Sequence, residues 1–188
     1  MMKVAITGGI GSGKSYICRM LEKHGIRIYS CDDAAKRLMA TSDKIHAGLT
    51  ALVGESAYVD GTLNKAALTS FLLKSPENMN KINAIVHPAV ADDFIKSGYT
   101  WMECAILFTS GFDKLVDKTI CVTAPLEVRV TRVMQRDSIS MAKACEWIDR
   151  QMLQEEMAAL SDYVILNDGK SDIDRQISDV LEALAKLE

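Results

Sequence analysis

The chain has 188 residues, 48% of them apolar and 25% charged, with 3 Pro, 11 Gly and a formal net charge of −3. Such a composition excludes a disordered or fibrous polymer, and the length suffices to bury about 70% of the unfolded surface around one core without a disulfide framework. The acidic balance leaves no broad basic surface for nucleic-acid phosphates or anionic lipid, and no apolar run approaches the roughly 18 residues that span a bilayer, so neither nucleic acid nor membrane is expected as a partner.

Residues 4–6, Val-Ala-Ile, form a short apolar run that ends in glycines, and residues 16–21 carry helical spacing up to Gly25, which reads as a C-terminal cap. Before any leader-like apolar stretch can form, the N-terminus breaks into these glycines. Residues 26–29 read as a second strand, 103–108 as a third, 119–123 as a fourth and 163–166 as a fifth. Four of these are continuous apolar runs without alternation, the pattern of strands buried on both faces of a parallel sheet.

Between the second and third strands, residues 42–98 read as all-helical. Asn64 is placed to cap 65–73, Ser75-Pro76 has the signature of a Ser cap with Pro in the first turn, and Gly98 stops the last segment. Pro125 opens a helix through Arg136, a second is expected over 140–160, and a last one over 172–187 carries Ile173, Ile177, Val180, Leu181 and Leu184 on one stripe. The expected class is α/β: a five-stranded parallel sheet in a three-layer sandwich of the kind that carries a phosphate loop.

Gly8-Gly9-Ile10-Gly11-Ser12-Gly13-Lys14-Ser15 matches G-x-x-x-x-G-K-[ST] between an expected strand and an expected helix. Glycines there let successive N–H groups from Gly11 to Tyr16 turn around phosphate oxygens, and the helix N-terminus adds partial positive charge. Lys14 can reach the β and γ phosphates, and the Ser15 hydroxyl can ligate Mg²⁺. These residues point to a nucleoside triphosphate. A guanine-reading N-K-x-D is not formed, because Asn64-Lys65 is followed by Ala66-Ala67.

Arg129, Arg132 and Arg136 fall at helical spacing, either as stabilisers of a transferring phosphoryl group or as a solvated helix face. Asp32 follows the second strand directly, where it would serve either as a base for an acceptor hydroxyl or as the cap of the next helix. The five cysteines, Cys18, Cys31, Cys104, Cys121 and Cys145, are odd in number and widely spaced, as free thiols in a reducing cytoplasm would be. Met134, Met141, Met152 and Met157 read as helix packing rather than a binding patch.

In segments spread along nearly its whole length the chain resembles the dephospho-CoA kinases. Residues 6–15, Ile-Thr-Gly-Gly-Ile-Gly-Ser-Gly-Lys-Ser, carry the resemblance first. It continues with Asp32 at the second Asp of the family's D-A-D, His87-Pro88 at its H-P, Gln135-Arg136-Asp137 at its Q-R-D, Gln151, and Asn167-Asp168-Gly169. Mg²⁺ is expected from the phosphate loop and a cytoplasmic location from the free thiols, with the chain as a monomer or small homo-oligomer. The resemblance implies ATP-dependent phosphorylation of the ribose 3′-hydroxyl of dephospho-CoA.

It implies Asp32 as base, with Lys14 and Arg136 stabilising charge. Nucleotide contacts would come from Gly9, Ile10, Gly11, Ser12, Gly13, Lys14, Ser15, Tyr16, Arg132, Asn167, Asp168 and Gly169, with Ser15 on the metal. Acceptor contacts would come from Thr7, Asp32, Lys36 and His87, although His87 before Pro88 could equally be a hydrogen-bonded structural residue at a helix junction. Three parts are expected: a core over 1–41, 99–137 and 161–188, a helical acceptor insert over 42–98, and a lid over 138–160. The chain departs from the family at Ser30 in place of the first Asp, Lys36 in place of Arg, Thr109 in place of an acid and Met157 in place of a lid Lys, while its third strand keeps an acid at Glu103. Two other functions stay open: another small-molecule phosphate-loop kinase, and an ATP-binding relative with impaired catalysis.

Overall fold

A computed structural model describes residues 1–187. In chain order its elements begin β1 (Val4–Thr7), α1 (Lys14–Lys23), β2 (Ile28–Ser30), α2 (Cys31–Thr41) and α3 (Asp43–Val53). They continue through β3 (Tyr58–Val59), β4 (Thr62–Leu63), α4 (Lys65–Lys74), α5 (Glu77–Ser97), β5 (Trp101–Glu103) and α6 (Leu107–Ser110). The last are β6 (Lys118–Thr123), α7 (Leu126–Asp137), α8 (Met141–Asp149), α9 (Gln154–Leu160), β7 (Tyr163–Leu166) and α10 (Ile173–Ala185). Two compact units result, one of Met1–Tyr29 with Tyr99–Glu188, the other of Ser30–Gly98. No helix among the described residues is long and apolar enough to cross a membrane.

The first unit is built on a five-stranded parallel sheet of order β2-β5-β1-β6-β7. β1 lies at its centre, Ile6 opposite Glu103 of β5 on one side and Ile120 of β6 on the other. Every residue of β1 is buried, which is why it reads as an unbroken apolar run. Val4, Ile6, Ile120, Val122 and Ile165 form one face of the core with Ile17 and Leu21 of α1 and with Ile177, Val180 and Leu184 of α10. The stripe expected on the last helix is thus the one that packs. α9 lies against β6, whose Thr119–Thr123 stretch is buried throughout. A smaller cluster, Val130, Val133, Ala144 and Ile148, joins α7 to α8.

The third strand covers only Trp101–Glu103, short of the expected 103–108. Cys104 N–H makes the last rung to the Ile6 carbonyl at 2.9 Å, after which Leu107–Ser110 closes a helical turn ended by Gly111 at φ 76. Cys104 and Leu107 are buried in that turn, and a short apolar run records burial without distinguishing strand from turn. The helix expected over 140–160 is interrupted, α8 ending at Asp149 and α9 beginning at Gln154. Tertiary bonds hold the break. Gln154 Oε1 accepts from Ala124 N at 2.9 Å and its Nε2 donates to Ala124 O at 3.0 Å, as a neighbouring strand would.

Asp162, just before β7, stitches the start of that strand to β6. Its carboxylate accepts from Lys118 Nζ at 2.7 Å, Thr119 N at 2.8 Å and Thr119 Oγ1 at 2.9 Å. Desolvation would raise the group, but these hydrogen bonds outweigh it and hold Asp162 below its ordinary 3.8. A depressed carboxylate contributes stability above its unfolded value, and loses it as pH falls through the lower folded value. Asp162→Asn should therefore cost about 1 kcal/mol at neutral pH in urea unfolding, with the gap from the parent closing below about pH 3.8.

The second unit is helical, with one exception to the all-helical expectation. Tyr58 and Val59 pair antiparallel with Leu63 and Thr62 across Asp60 (φ 48) and Gly61 (φ 74). Two left-handed residues in a two-residue loop define the hairpin turn that Asp-Gly between β-formers favours. Ser30, Ser42 and Asn64 cap α2, α3 and α4 through their side chains. Gly98 ends α5 in the left-handed conformation. His87-Pro88 does not mark a helix junction: Pro88 lies inside the 21-residue α5.

Candidate active site

At the carboxyl end of β1 the chain turns through residues 8–13 into α1, between the ends of β5 and β6. That edge of an open parallel sheet is where ligands bind. Gly13 adopts φ 94, and a side chain on it would collide with the Asn167 amide. Gly9 is required for a different reason: the Arg129 guanidinium fills the space its side chain would take. Thr7 Oγ1 and Ser12 Oγ are buried with no hydrogen-bond partner.

Lys14 opens α1 and folds back over the loop, its Nζ donating to Gly8 O at 2.8 Å and reaching Gly9 O at 3.4 Å. Burial pulls its ammonium below the ordinary lysine value, and the carboxylate of Glu103 works against that shift. Trp101 packs with the α1 and α10 core, so alternation along β5 turns Glu103 toward the same helices. Its field reaches Cys18 as well: burial first, then Glu103, pushes that thiol up to about 12. Glu103 thus stands as an acid beneath the first turn of α1.

Ser15 and Tyr16 are exposed in that first turn. Among the described residues no group of three or more His, Cys, Asp or Glu could cage a metal, and the Ser15 hydroxyl is carried by an exposed residue at the phosphate loop. Such a donor set suits Mg²⁺, which keeps waters and takes most of its remaining oxygens from phosphates.

The loop is braced from α7 and from the α8–α9 connection. Arg129 Nε donates to Ile10 O at 3.0 Å, and Gln151 Oε1 accepts from Ile10 N at 2.6 Å, so both ends of one residue are held. Arg132 bridges the far side of the loop, its NH1 donating to Asn167 O at 3.0 Å and Ser12 O at 3.3 Å, its NH2 to Asn167 Oδ1 at 3.3 Å. Asn167 Nδ2 returns a bond to Ser12 O at 2.9 Å. Arg136 is exposed and forks onto Asp137 through Nε and NH2, the shortest contact being 2.7 Å. That bond holds the Asp137 carboxyl below the ordinary range. Past β7, Asp168 accepts from Lys170 N and Ser171 N, and Gly169 turns the chain at φ 82.

Lys14, Ser15, Thr7, Arg132 and Asn167 therefore gather at or around one loop, while Arg136 lies on the same helix as Arg132 but is engaged by its neighbour. Arg129 and Gln151 hold the loop, a role assigned to neither from sequence, where Arg129 reads with Arg132 and Arg136 as a phosphoryl stabiliser or a solvated face and Gln151 only as a match. Their signals were the i, i+3, i+7 spacing of the arginines and the Gln151 match.

In the helical unit, Asp32 sits in the first turn of α2. Ser30 Oγ accepts from Asp33 N at 3.2 Å, so Ser30 caps the helix and Asp32 is released from that role. Asp32 pairs with Lys36 Nζ at 2.5 Å in solvent. His87 is partly buried, which lowers its pKa from the ordinary 6.5. Arg37, next to Lys36, pairs with Asp93 at 2.6 Å.

Thr109 is exposed and bonds back to Ile106 O at 3.2 Å. Met157 is 2% exposed, a packing residue. Met157→Lys should thus cost about 3 kcal/mol in denaturant unfolding by burying an unpaired charge.

Residues 2–172 match the family model for dephospho-CoA kinase, CoaE. A curated dephospho-CoA kinase of Bacteroides fragilis is 38% identical over 193 residues, covering 99% of this chain and 93% of the relative. The crystal structure of TT1252 from Thermus thermophilus is similar at a TM-score of 0.81 and 28% identity, covering 100% of this chain and 98% of that one. A dephospho-CoA kinase from Campylobacter jejuni shares the fold at a TM-score of 0.69 and 20% identity, with 98% and 97% covered.

Proposed function

Because the chain belongs to the dephospho-CoA kinase family, transferases of coenzyme A biosynthesis on a phosphate-loop nucleotide-binding fold, we propose that it moves the γ-phosphoryl group of ATP to the ribose 3′-hydroxyl of dephospho-CoA. The observation that carries this is the loop itself: Lys14, half-buried, with its ammonium on the carbonyls of Gly8 and Gly9 at the carboxyl end of the central strand. An ammonium held by carbonyl oxygens alone lacks an anion, and a triphosphate supplies one. The amides from Gly9 to Tyr16 cradle the phosphates, and Asn167, Asp168 and Gly169 wall the base.

In the transfer, the 3′-oxygen forms a bond to the γ phosphorus as the bond from that phosphorus to the β–γ bridging oxygen breaks. The bridging electron pair leaves on ADP. Asp32 accepts the hydroxyl proton, and Lys36 keeps its carboxylate oriented through their ion pair. Thr7 and His87 contribute to acceptor binding. Lys14, Arg132 and Arg136 offset charge on the transferring group. Ser15 would hold Mg²⁺ on the protein side, and the ion would offset charge on the phosphates. Residues 42–98 carry the acceptor and 138–160 act as the lid, with water excluded while the 3′-hydroxyl reacts. Free thiols at all five cysteines suit a reducing cytoplasm.

Coupled measurement of ADP release with dephospho-CoA, nucleoside monophosphates and shikimate as acceptors tests the assignment. Release stimulated by dephospho-CoA alone is the expected result. Stimulation by another acceptor in its place moves the chain to a different kinase specificity, and tight ATP binding without any stimulated release identifies a relative that has lost catalysis.

A further inference from the structure

We propose that Arg129 is a phosphate-binding residue of the loop, its terminal guanidinium nitrogens donating to the last phosphate of the bound triphosphate. The proposal rests on the nucleotide-binding function above and adds to it a residue that neither the motif nor the resemblance assigns.

Arg129 is 5% exposed, yet no carboxylate among the described residues lies within ion-pair distance of it. Its one hydrogen bond uses Nε, to Ile10 O at 3.0 Å, which leaves both terminal nitrogens with donors unspent. A buried guanidinium without an anion is costly, and folds retain one where a ligand completes it. Burial draws its pKa below the ordinary 12.5, against the weaker fields of Glu155 and Cys121.

The other two arginines of α7 are differently disposed: Arg132 spends its fork on Ser12 and Asn167, and Arg136 spends its own on Asp137. Of the three, Arg129 alone keeps its fork. It also has an address. The guanidinium stands in the space left by the missing side chain of Gly9, and Lys14 Nζ reaches the carbonyl of the same residue.

Two cations converging on one peptide repel each other. An anion of more than one charge offsets that repulsion. In a loop of this kind the lysine serves the β and γ phosphates, so a second cation beside it falls to the terminal group. ADP, which ends at the β phosphate, would not use it.

Titration calorimetry of ADP and of a non-hydrolysable β,γ-imido ATP, both with Mg²⁺, separates this from a role in loop shape. Arg129→Gln should weaken the triphosphate about 10- to 100-fold more than it weakens ADP, the range for a lost charge-assisted hydrogen bond, any loss common to both coming from the brace on Ile10 O. Arg129→Lys, which keeps the charge without the fork, should recover part of the loss. Parallel weakening of both nucleotides would show that Arg129 only shapes the loop, and no weakening of either would show that it does neither; both overturn the proposal. Should the Gln variant unfold early in a thermal scan, the Lys variant gives the same comparison, with triphosphate loss exceeding ADP loss expected. A parent protein that binds neither nucleotide would instead overturn the nucleotide function itself.

Discussion

Lys14→Ala should lower kcat for ADP formation about 10³-fold, the scale of removing one preorganised charge at a phosphoryl-transfer centre, while the protein still unfolds cooperatively near the parent temperature. The two effects separate because of where the ammonium sits. It is half-buried against Gly8 and Gly9, and desolvation lowers its pKa, so the folded state gains little from keeping it charged. Its benefit arises when phosphate oxygens replace the carbonyls. Single-turnover kinetics with circular dichroism as a folding control check this, and loss of activity only in step with loss of fold would count against it.

Asp32→Asn is the second large effect. Asparagine keeps the shape and one acceptor oxygen but cannot take a proton, so kcat should fall about 10²- to 10⁴-fold with the KM for ATP held within a small factor. Stability should barely change, because the ion pair it removes, with Lys36, is exposed and Lys36 keeps Asp33 as a second partner. Ser30, not Asp32, caps α2, so the helix does not depend on the carboxylate. A rise in KM for ATP without a fall in kcat would move Asp32 from proton acceptor to nucleotide binding.

What could be read from the residues follows from where their partners lie. The loop was legible because its glycines encode local backbone geometry, and β1 and β6 because strands buried on both faces run without alternation, whereas β7 is an equally apolar run at the sheet edge with Val164 and Leu166 exposed. The hairpin at 58–63 had its own local sign, Asp60-Gly61 between β-formers, which the helical reading of residues 42–98 passed over. Other features have no local sign. The break between α8 and α9 is held by Gln154 on Ala124, 30 residues upstream. Arg129 is buried because Ile10, 119 residues away in sequence, accepts its hydrogen bond and Gly9 makes room. Spacing placed Arg129, Arg132 and Arg136 on one face, and only the fold shows that one of them is buried, one braces the loop and one is exposed.

Phosphorus NMR of the product formed from dephospho-CoA and Mg·ATP addresses the chemistry itself. A new phosphate monoester, coupled to the ribose 3′ proton and formed one for one with ADP, is what a glycine-loop kinase with Lys14 on the triphosphate and Asp32 on the acceptor must yield. ADP appearing without that monoester, or a monoester on any other oxygen, would contradict it.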